Sequence, residues 1–408
     1  MRSMRSNGDL FVQSFVIKQD ILKSYVRACM SFINQASRFL PAFTTCAVWL
    51  YVMVRGSLWP DVFGSNHYAM SFAMALGSFI AGSTPLGGGV VGFPVAVLVL
   101  GLEPAQGRDF TLLIQSIGMN AAAFMIACHK RHLIDPHFVA VFVAGGVPGM
   151  ILAIALELPP FETVVTFQVL VFEFAITYGY LCVVAPRSTK REVAPPALME
   201  AANASSLDGA SPASSRNTCC TARKYERYVV DGLMFCAAVV GGFFSGSCGS
   251  GSDVMLYAFG VLVWNVVRAP RSPETLTASS VIVMGLLSLV GASARSLTGS
   301  VAPRVYLCWG AAAWVVCWGA PLGSLLLTPT WQAYLRLLFY VLSIAQFVGF
   351  AVLKMQSNVA AWAVFGGCTF AVLSGLGLHF RVTSARLRAR GDVAERLTPR
   401  VALKRLLT

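Results

Sequence analysis

Gly82-Ser83-Thr84-Pro85-Leu86-Gly87-Gly88-Gly89 and Gly246-Ser247-Cys248-Gly249-Ser250-Gly251-Ser252-Asp253 are the two stretches that decide how this chain folds. Each interrupts an apolar run, residues 68–101 and 230–267, that is too long for one membrane crossing and too short for two, because one crossing takes about 20 residues. Non-helical backbone is tolerated at membrane depth only where protein buries it or where it lines a cavity. Both breaks are therefore expected in the interior.

Sliding the chain against itself by 164 residues superposes them. Between positions 70 and 116 this frame gives fifteen identities in 47 positions. They include Gly77/Gly241, Phe79/Phe243, Gly82/Gly246, Ser83/Ser247, Gly87/Gly251 and Val97-Leu98-Val99 on Val261-Leu262-Val263. Shared apolar composition yields chance matches of Leu, Val and Ala. It does not crowd three glycine pairs and a serine pair together at one offset, so the chain reads as a duplication.

The surrounding composition agrees. Of 408 residues 56% are hydrophobic and 12% charged, about half the charge of a soluble domain, and the mean hydropathy is +0.68. That excludes a soluble globule, a disordered chain and a disulfide scaffold. The formal charge of +13 is concentrated. Six of the 31 basic residues precede position 40, seven lie between Arg187 and Arg227, and eight between Arg381 and Arg405. Such clustering is the positive-inside pattern. It places both termini and the central linker in the cytoplasm, with the plasma membrane preferred over an organelle. No basic patch alternates with aromatics, so nucleic acid is not expected as a partner. The lipid bilayer is, and nothing fixes an oligomeric state.

The clear spans are 39–58, 110–128, 137–157, 161–185, 273–293, 305–327, 332–353 and 359–380. The organisation expected is a cytoplasmic segment 1–38 and a first membrane half 39–185. A basic flexible linker 186–228, a second half 229–380 and a basic tail 381–408 follow. The fold class is all-α, with two inverted repeats whose helices are broken or re-entrant around the glycine-rich loops. Inversion follows from counting: the N-terminus is inside and 39–58 carries the chain out, whereas the second copy starts from the inside linker. Lys130, Arg131, Arg268 and Arg271 then fall inside, while Arg295 and Arg304 fall outside, against the rule. Cys46, Cys128, Cys182, Cys236, Cys308, Cys317 and Cys368 lie in apolar runs and read as small apolar residues. No cysteine pair has zinc-ligand spacing, and neither a metal nor a cofactor is expected.

Helices starting at Gly89 and Asp253 leave their first N–H groups unpaired, and glycine lets a ligand approach that backbone. With the positive helix end this makes an anion site. Ser83, Thr84, Gly87, Gly88, Gly89, Ser247, Cys248, Ser250, Gly251 and Ser252 are the candidate substrate-binding residues. The competing reading is that the glycines serve only close helix packing. Asp253 is either a helix-start residue capped by Ser252 or a carrier of the coupling proton. Glu173 and Arg336, the charges deepest in apolar runs, are with Asp253 the candidates for coupling or selectivity; they are expected to approach each other or the central site, or else to snorkel or face separate polar pockets. Gln168 and Gln332, paired by the 164 frame, line the path or link helices.

Gly87-Gly88-Gly89, Pro94, Leu98, Gly101, Pro104 and the Thr111…Ser116 helix resemble the signature of the sulfite exporter TauE/SafE (TSUP) permeases. The resemblance spans roughly residues 65–380. Two departures stand in the second copy: Gly251-Ser252-Asp253 where the first has three glycines, and Ala258 for Pro94. The resemblance implies a secondary transporter working by alternating access, with proton coupling. Its substrate would be a small sulfur-containing anion such as sulfite, thiosulfate or an organosulfonate. The alternatives are a carrier of another anion, such as a carboxylate, coupled to sodium, or an anion channel. No nucleophile–base pair or metal cluster suggests an enzyme, and no catalytic residue is expected.

Overall fold

The computed structural model describes residues 37, 39–63, 67–156, 160–184, 213–265, 271–354 and most of 362–374. The expected cytoplasmic segment 1–38 apart from Ser37, the tail 381–408 and most of the linker lie outside these residues. The elements are α1 Leu40–Arg55, α2 Trp59–Phe63, α3 Tyr68–Ser83, α4 Gly89–Pro94, α5 Pro104–His129, α6 Pro136–Leu156 and α7 Pro160–Val184 in the first half. The second half holds α8 Ala213–Cys248, α9 Ser252–Phe259, α10 Pro273–Leu297, α11 Pro303–Leu325 and α12 Gln332–Lys354. Among the described residues there is no strand, and six helices are long and apolar enough to cross a membrane. The protein is an all-α, multi-pass integral membrane protein. One boundary differs from expectation: α8 is already helical at Ala213, inside the linker expected to run to 228.

Helix starts follow local chemistry. Pro stands in the first turn of α1, α5, α10 and α11, where its missing N–H costs nothing. Glu103 and Gln106 form a capping box on α5, and Ser272 Oγ accepts from Thr275 N at the start of α10.

Neither broken run crosses straight through; each folds back as a helical hairpin. Gly88 lies against Ala81, Val91 against Gly77, and Gly92 against Met74, so α4 returns along α3. Likewise Gly251 meets Phe244, while Gly241 meets Ser252 and Met255, so α9 returns along α8. Both returning helices end in a π turn, Val95–Val99 and Gly260–Trp264. A π turn in each copy at the same place is a shared departure from regular helix.

Packing relates the halves. α3 packs on α11 and α8 on α6; α5 packs on α10 and α7 on α12. Exchanging the halves leaves this pattern unchanged. α5 and α10 run antiparallel, as Asp109–Arg295 and Asn120–Gly285 show at their two ends. Glycines make the closest crossings. A Cβ on Gly82 would overlap the carbonyl oxygen of Ala320, one on Gly323 that of Phe79, one on Gly149 that of Val239, and one on Gly242 that of Gly146. For Gly82 and Gly246 the packing reading of the break glycines holds, since Gly246 abuts the Met150 carbonyl.

Candidate functional site

The two hairpin tips meet. A Cβ on Gly87 would lie 2.6 Å from Asp253 Oδ2, 3.2 Å from Ser250 Oγ and 3.3 Å from Gln115 Nε2. Gly87 has φ +65° and Gly249 φ +81°, the left-handed region that a side chain disfavours. The tip of one hairpin thus presses bare backbone against the tip of the other, and α5 lies behind both through Thr111 and Gln115.

The polar groups at this junction divide into partnered and unpartnered. Ser83 Oγ donates to the carbonyls of Phe79 and Ile80, and Thr84 Oγ1 to Ile80. Their protons are held by the end of α3 itself. Ser252 is held differently: its N–H donates to Ser245 Oγ at 2.9 Å, and the two hydroxyls share a bond of 2.8 Å. So Ser252 does not cap a helix starting at Asp253: α9 begins at Ser252 itself, after Gly251 and without a side-chain cap, and Asp253 Oδ1 accepts from Val254 N at 2.9 Å within the first turn. Two of the N–H groups expected to be open at α9 are therefore satisfied within the protein.

At this junction the unpartnered atoms among the described residues are Asp253 Oδ2 and Gln115 Nε2, both buried; Ser247 Oγ, in the same break, is also buried without a partner. Gln115 is oriented from behind, its Oε1 accepting from Ser288 Oγ of α10. Buried polar atoms normally have partners, so an amide donor and a carboxyl oxygen beside Gly87 mark where a ligand can complete the bonding.

Two small clefts flank the junction. A cavity of about 20 Å³, room for a water molecule, is lined by Gly89, Phe93, Val164, Phe167, Gln168, Cys248, Ser250 and Gln346. It adjoins, through Phe93, Gln168 and Gln346, an apolar cavity of about 80 Å³ reaching Pro94 and Phe350. The second cleft, about 10 Å³, is lined by Ser83, Thr84, Pro85, Tyr257, Thr277, Leu335, Arg336 and Phe339. The clefts are counterparts. Phe93 and Thr84 match Tyr257 and Cys248 in the 164 frame. Val164 and Phe167 stand as far into α7 as Arg336 and Phe339 stand into α12. One cleft carries a guanidinium and hydroxyls; the other carries amides and a thiol.

The predicted residues thus divide. Gly87, Gly89, Cys248, Ser250, Gly251, Asp253 and Gln168 gather at the junction or its first cleft, and Ser83, Thr84 and Arg336 line the second; Gly88 faces Met74 and Ala81 of its own hairpin, and Ser247 is buried in the second break. Glu173 does neither. It is buried, accepts from Thr369 Oγ1 through Oε1, and leaves Oε2 without a partner. Gln332 opens α12, whereas Gln168 sits well inside α7. The 164 frame has slipped by these last helices, so the two glutamines are not equivalent.

Sequence reasoning missed four groups, of which Gln115, Asp109 and Arg295 are buried and Gln346 is half-buried. Gln115 and Gln346 carried the same signal as Gln168, an amide in an apolar span. Asp109 and Arg295 lay just beyond the edges of the spans that were read. Arg295 makes a bidentate pair with Asp109, both contacts 3.0 Å, and Arg108 Nε adds a third bond at 3.0 Å. Arg295, which the positive-inside count set against the rule, is an internal partner of α5 and not an exposed loop charge. Arg304 is accounted for likewise, since its Nη2 donates to the Leu100 carbonyl at the end of the first π turn.

A family model described as Sulfite exporter TauE/SafE matches residues 69–350. The chain belongs to the sulfite exporter TauE/SafE family. Comparison with curated proteins and with solved structures returned no match. The TauE/SafE match begins at α3 and ends within α12, so it takes in both hairpins, both clefts and the Asp109–Arg295 pair. It leaves α1 and α2 outside. As a TauE/SafE member the protein is a membrane transporter of the class that exports sulfur anions.

Proposed function

We propose that the chain is a secondary transporter that moves a small sulfur-containing anion by alternating access of two inverted copies, with a proton carried on Asp253. The observation that supports this most directly is the junction of the hairpin tips. There Gly87 backbone, the Gln115 amide and the Asp253 carboxyl converge in an otherwise apolar interior. Broken helices at corresponding places in two copies, meeting in the interior, are the pattern of secondary carriers.

The electrostatics give the coupling. An ionised Asp253 repels an anion, and a protonated one donates a hydrogen bond to it through the oxygen that lacks a partner. Anion and proton therefore enter together. The two clefts at the junction are sized for a water molecule and not for an oxyanion with its shell, so passage of an anion requires the junction to open. Opening means moving one hairpin against the other. The antiparallel α5 and α10 and the exchanged packing of α3 on α11 and α8 on α6 support inverted copies, each opening its own cleft in turn.

Proteoliposome flux of labelled sulfite, thiosulfate and sulfate tests the reading, with the pH and sodium gradients varied separately. The expected result is saturable flux of a sulfur anion driven by the pH gradient. No flux above empty liposomes would overturn it. Flux driven by sodium, carboxylate as the preferred substrate, or unsaturable flux would turn it toward the rival carriers or a channel.

A further inference from the structure

We infer that Cys46 and Cys317 form an oxidisable thiol pair that, as a disulfide, ties the helix preceding the TauE/SafE domain to the helix that holds the first hairpin. Their sulfurs lie 3.2 Å apart, across α1 and α11. Cys317 is fully buried and Cys46 half-buried, so an apolar oxidant meets Cys46 first.

The sulfurs are held in register on both sides. The Trp318 indole is stacked on Phe39 and edge-on to Phe43, with centroids 5.8 and 4.9 Å away. Its Nε1–H donates to Cys46 Sγ at 3.1 Å. The Cys317 thiol donates to the Trp314 carbonyl at 3.1 Å. Further along α1, Trp49 Nε1 donates to the Gly310 carbonyl at 2.7 Å. These contacts fix both the rotation and the height of α1 on α11, which is the geometric demand a disulfide makes.

The reaction needs an oxidant, and a hydroperoxide, ROOH, suffices. Cys46 gives up its proton, its sulfur attacks the outer peroxide oxygen, and ROH leaves, giving the sulfenic acid. Cys317 gives up its proton, attacks that sulfur and expels water. Two thiols and one hydroperoxide become one disulfide, one alcohol and one water. The tie reaches the transport domain because α11 packs through Gly319 and Gly323 directly on α3.

The test uses the full chain in detergent, with Cys219 and Cys220 changed to Ser to remove the adjacent pair. It is reduced, exposed to tert-butyl hydroperoxide, alkylated and digested. The expected product is a cross-linked peptide joining Cys46 to Cys317, lost on treatment with dithiothreitol and absent in Cys46→Ala and in Cys317→Ala. Cys128 and Cys236, both exposed, should stay alkylated throughout. Full alkylation of Cys46 and Cys317 after oxidation would overturn the inference, as would cross-links scattered among other cysteines. Both outcomes are read on the unmutated pair, so a variant that fails to fold does not decide the matter.

Discussion

At the scale of single residues, Gly87 and Gly88 are neighbours with opposite demands. Gly87 needs φ +65° and would push a Cβ to 2.6 Å from Asp253 Oδ2. Gly88 has φ −73°, and the only tight neighbour of a Cβ there is the flexible end of Met74 at 3.3 Å, with Ala81 Cβ at an ordinary 3.7 Å. A left-handed residue with a side chain costs about 1–2 kcal/mol, and the clash adds to it. Gly87→Ala is expected to lose roughly tenfold or more of the flux, with about 1.4 kcal/mol worth tenfold, while Gly88→Ala retains most of it. Equal flux in the two would remove the tip geometry from the mechanism. Asp253→Asn keeps a donor at the junction but no exchangeable acid proton, so flux should persist and cease to follow the pH gradient. Glu173→Gln, on a side chain bonded to Thr369 away from the junction, should leave the pH profile as it is. Asp109 is a third case, because two guanidiniums converge on it. Breaking a buried pair costs about 3–5 kcal/mol. Asp109→Leu strands both arginines, whereas Arg295→Met leaves Asp109 paired with Arg108. The melting temperature in detergent should fall further for Asp109→Leu.

At the scale of elements, the breaks were legible because glycine and small polar residues interrupting an apolar run have few structural uses in a membrane. The direction of the chain after each break was not legible. Whether α4 continues or folds back depends on Gly77, Gly88 and Gly92 fitting against Val91, Ala81 and Met74, a tertiary match that no local pattern announces. The same limit hid the partners of the hydroxyls. Ser83 and Thr84 have the composition of an anion site, yet both bond back to their own helix, as Ser and Thr near helix ends can. Charges at span edges were illegible for a different reason. A hydropathy window excludes them by construction, and only the antiparallel meeting of α5 with α10 pairs Arg295 with Asp109. The helix crossings supply the prediction at this scale. Gly82→Ala would drive a methyl into the Ala320 carbonyl, whereas Gly232→Ala meets nothing within 4 Å. The first should abolish a well-behaved monodisperse peak in detergent. The second should leave it intact and raise stability by up to ~1 kcal/mol, the helix advantage of Ala over Gly.

At the scale of the whole molecule, the contacts at the helix ends sort the chain into two faces. Lys130 Nζ donates to the carbonyls of Ser324, Leu325 and Leu327 at 2.8–3.0 Å, so the end of α5 and the end of α11 share one face. Asp135 pairs with Arg271, and His137 with Asp231, on that same face, which brings in the starts of α6 and α10 and the α8 segment that follows the linker. Arg304 on the Leu100 carbonyl and Arg295 on Asp109 mark the other face. Lys130 and Arg304 do similar work at opposite ends, a cation on the terminal carbonyls of a helix from the other half. If the copies are inverted and the basic linker is inside, the Lys130 face is cytoplasmic and the Arg304 face is not. His132 and Ser300 are exposed on the two faces and report on this directly. In a background without the exposed native cysteines, Ser300→Cys should react with a membrane-impermeant maleimide on intact cells. His132→Cys should react only after permeabilisation. Labelling of both from the same side would break the inverted arrangement, because no rotation of a single hairpin moves the ends of α5 and α10 to one face.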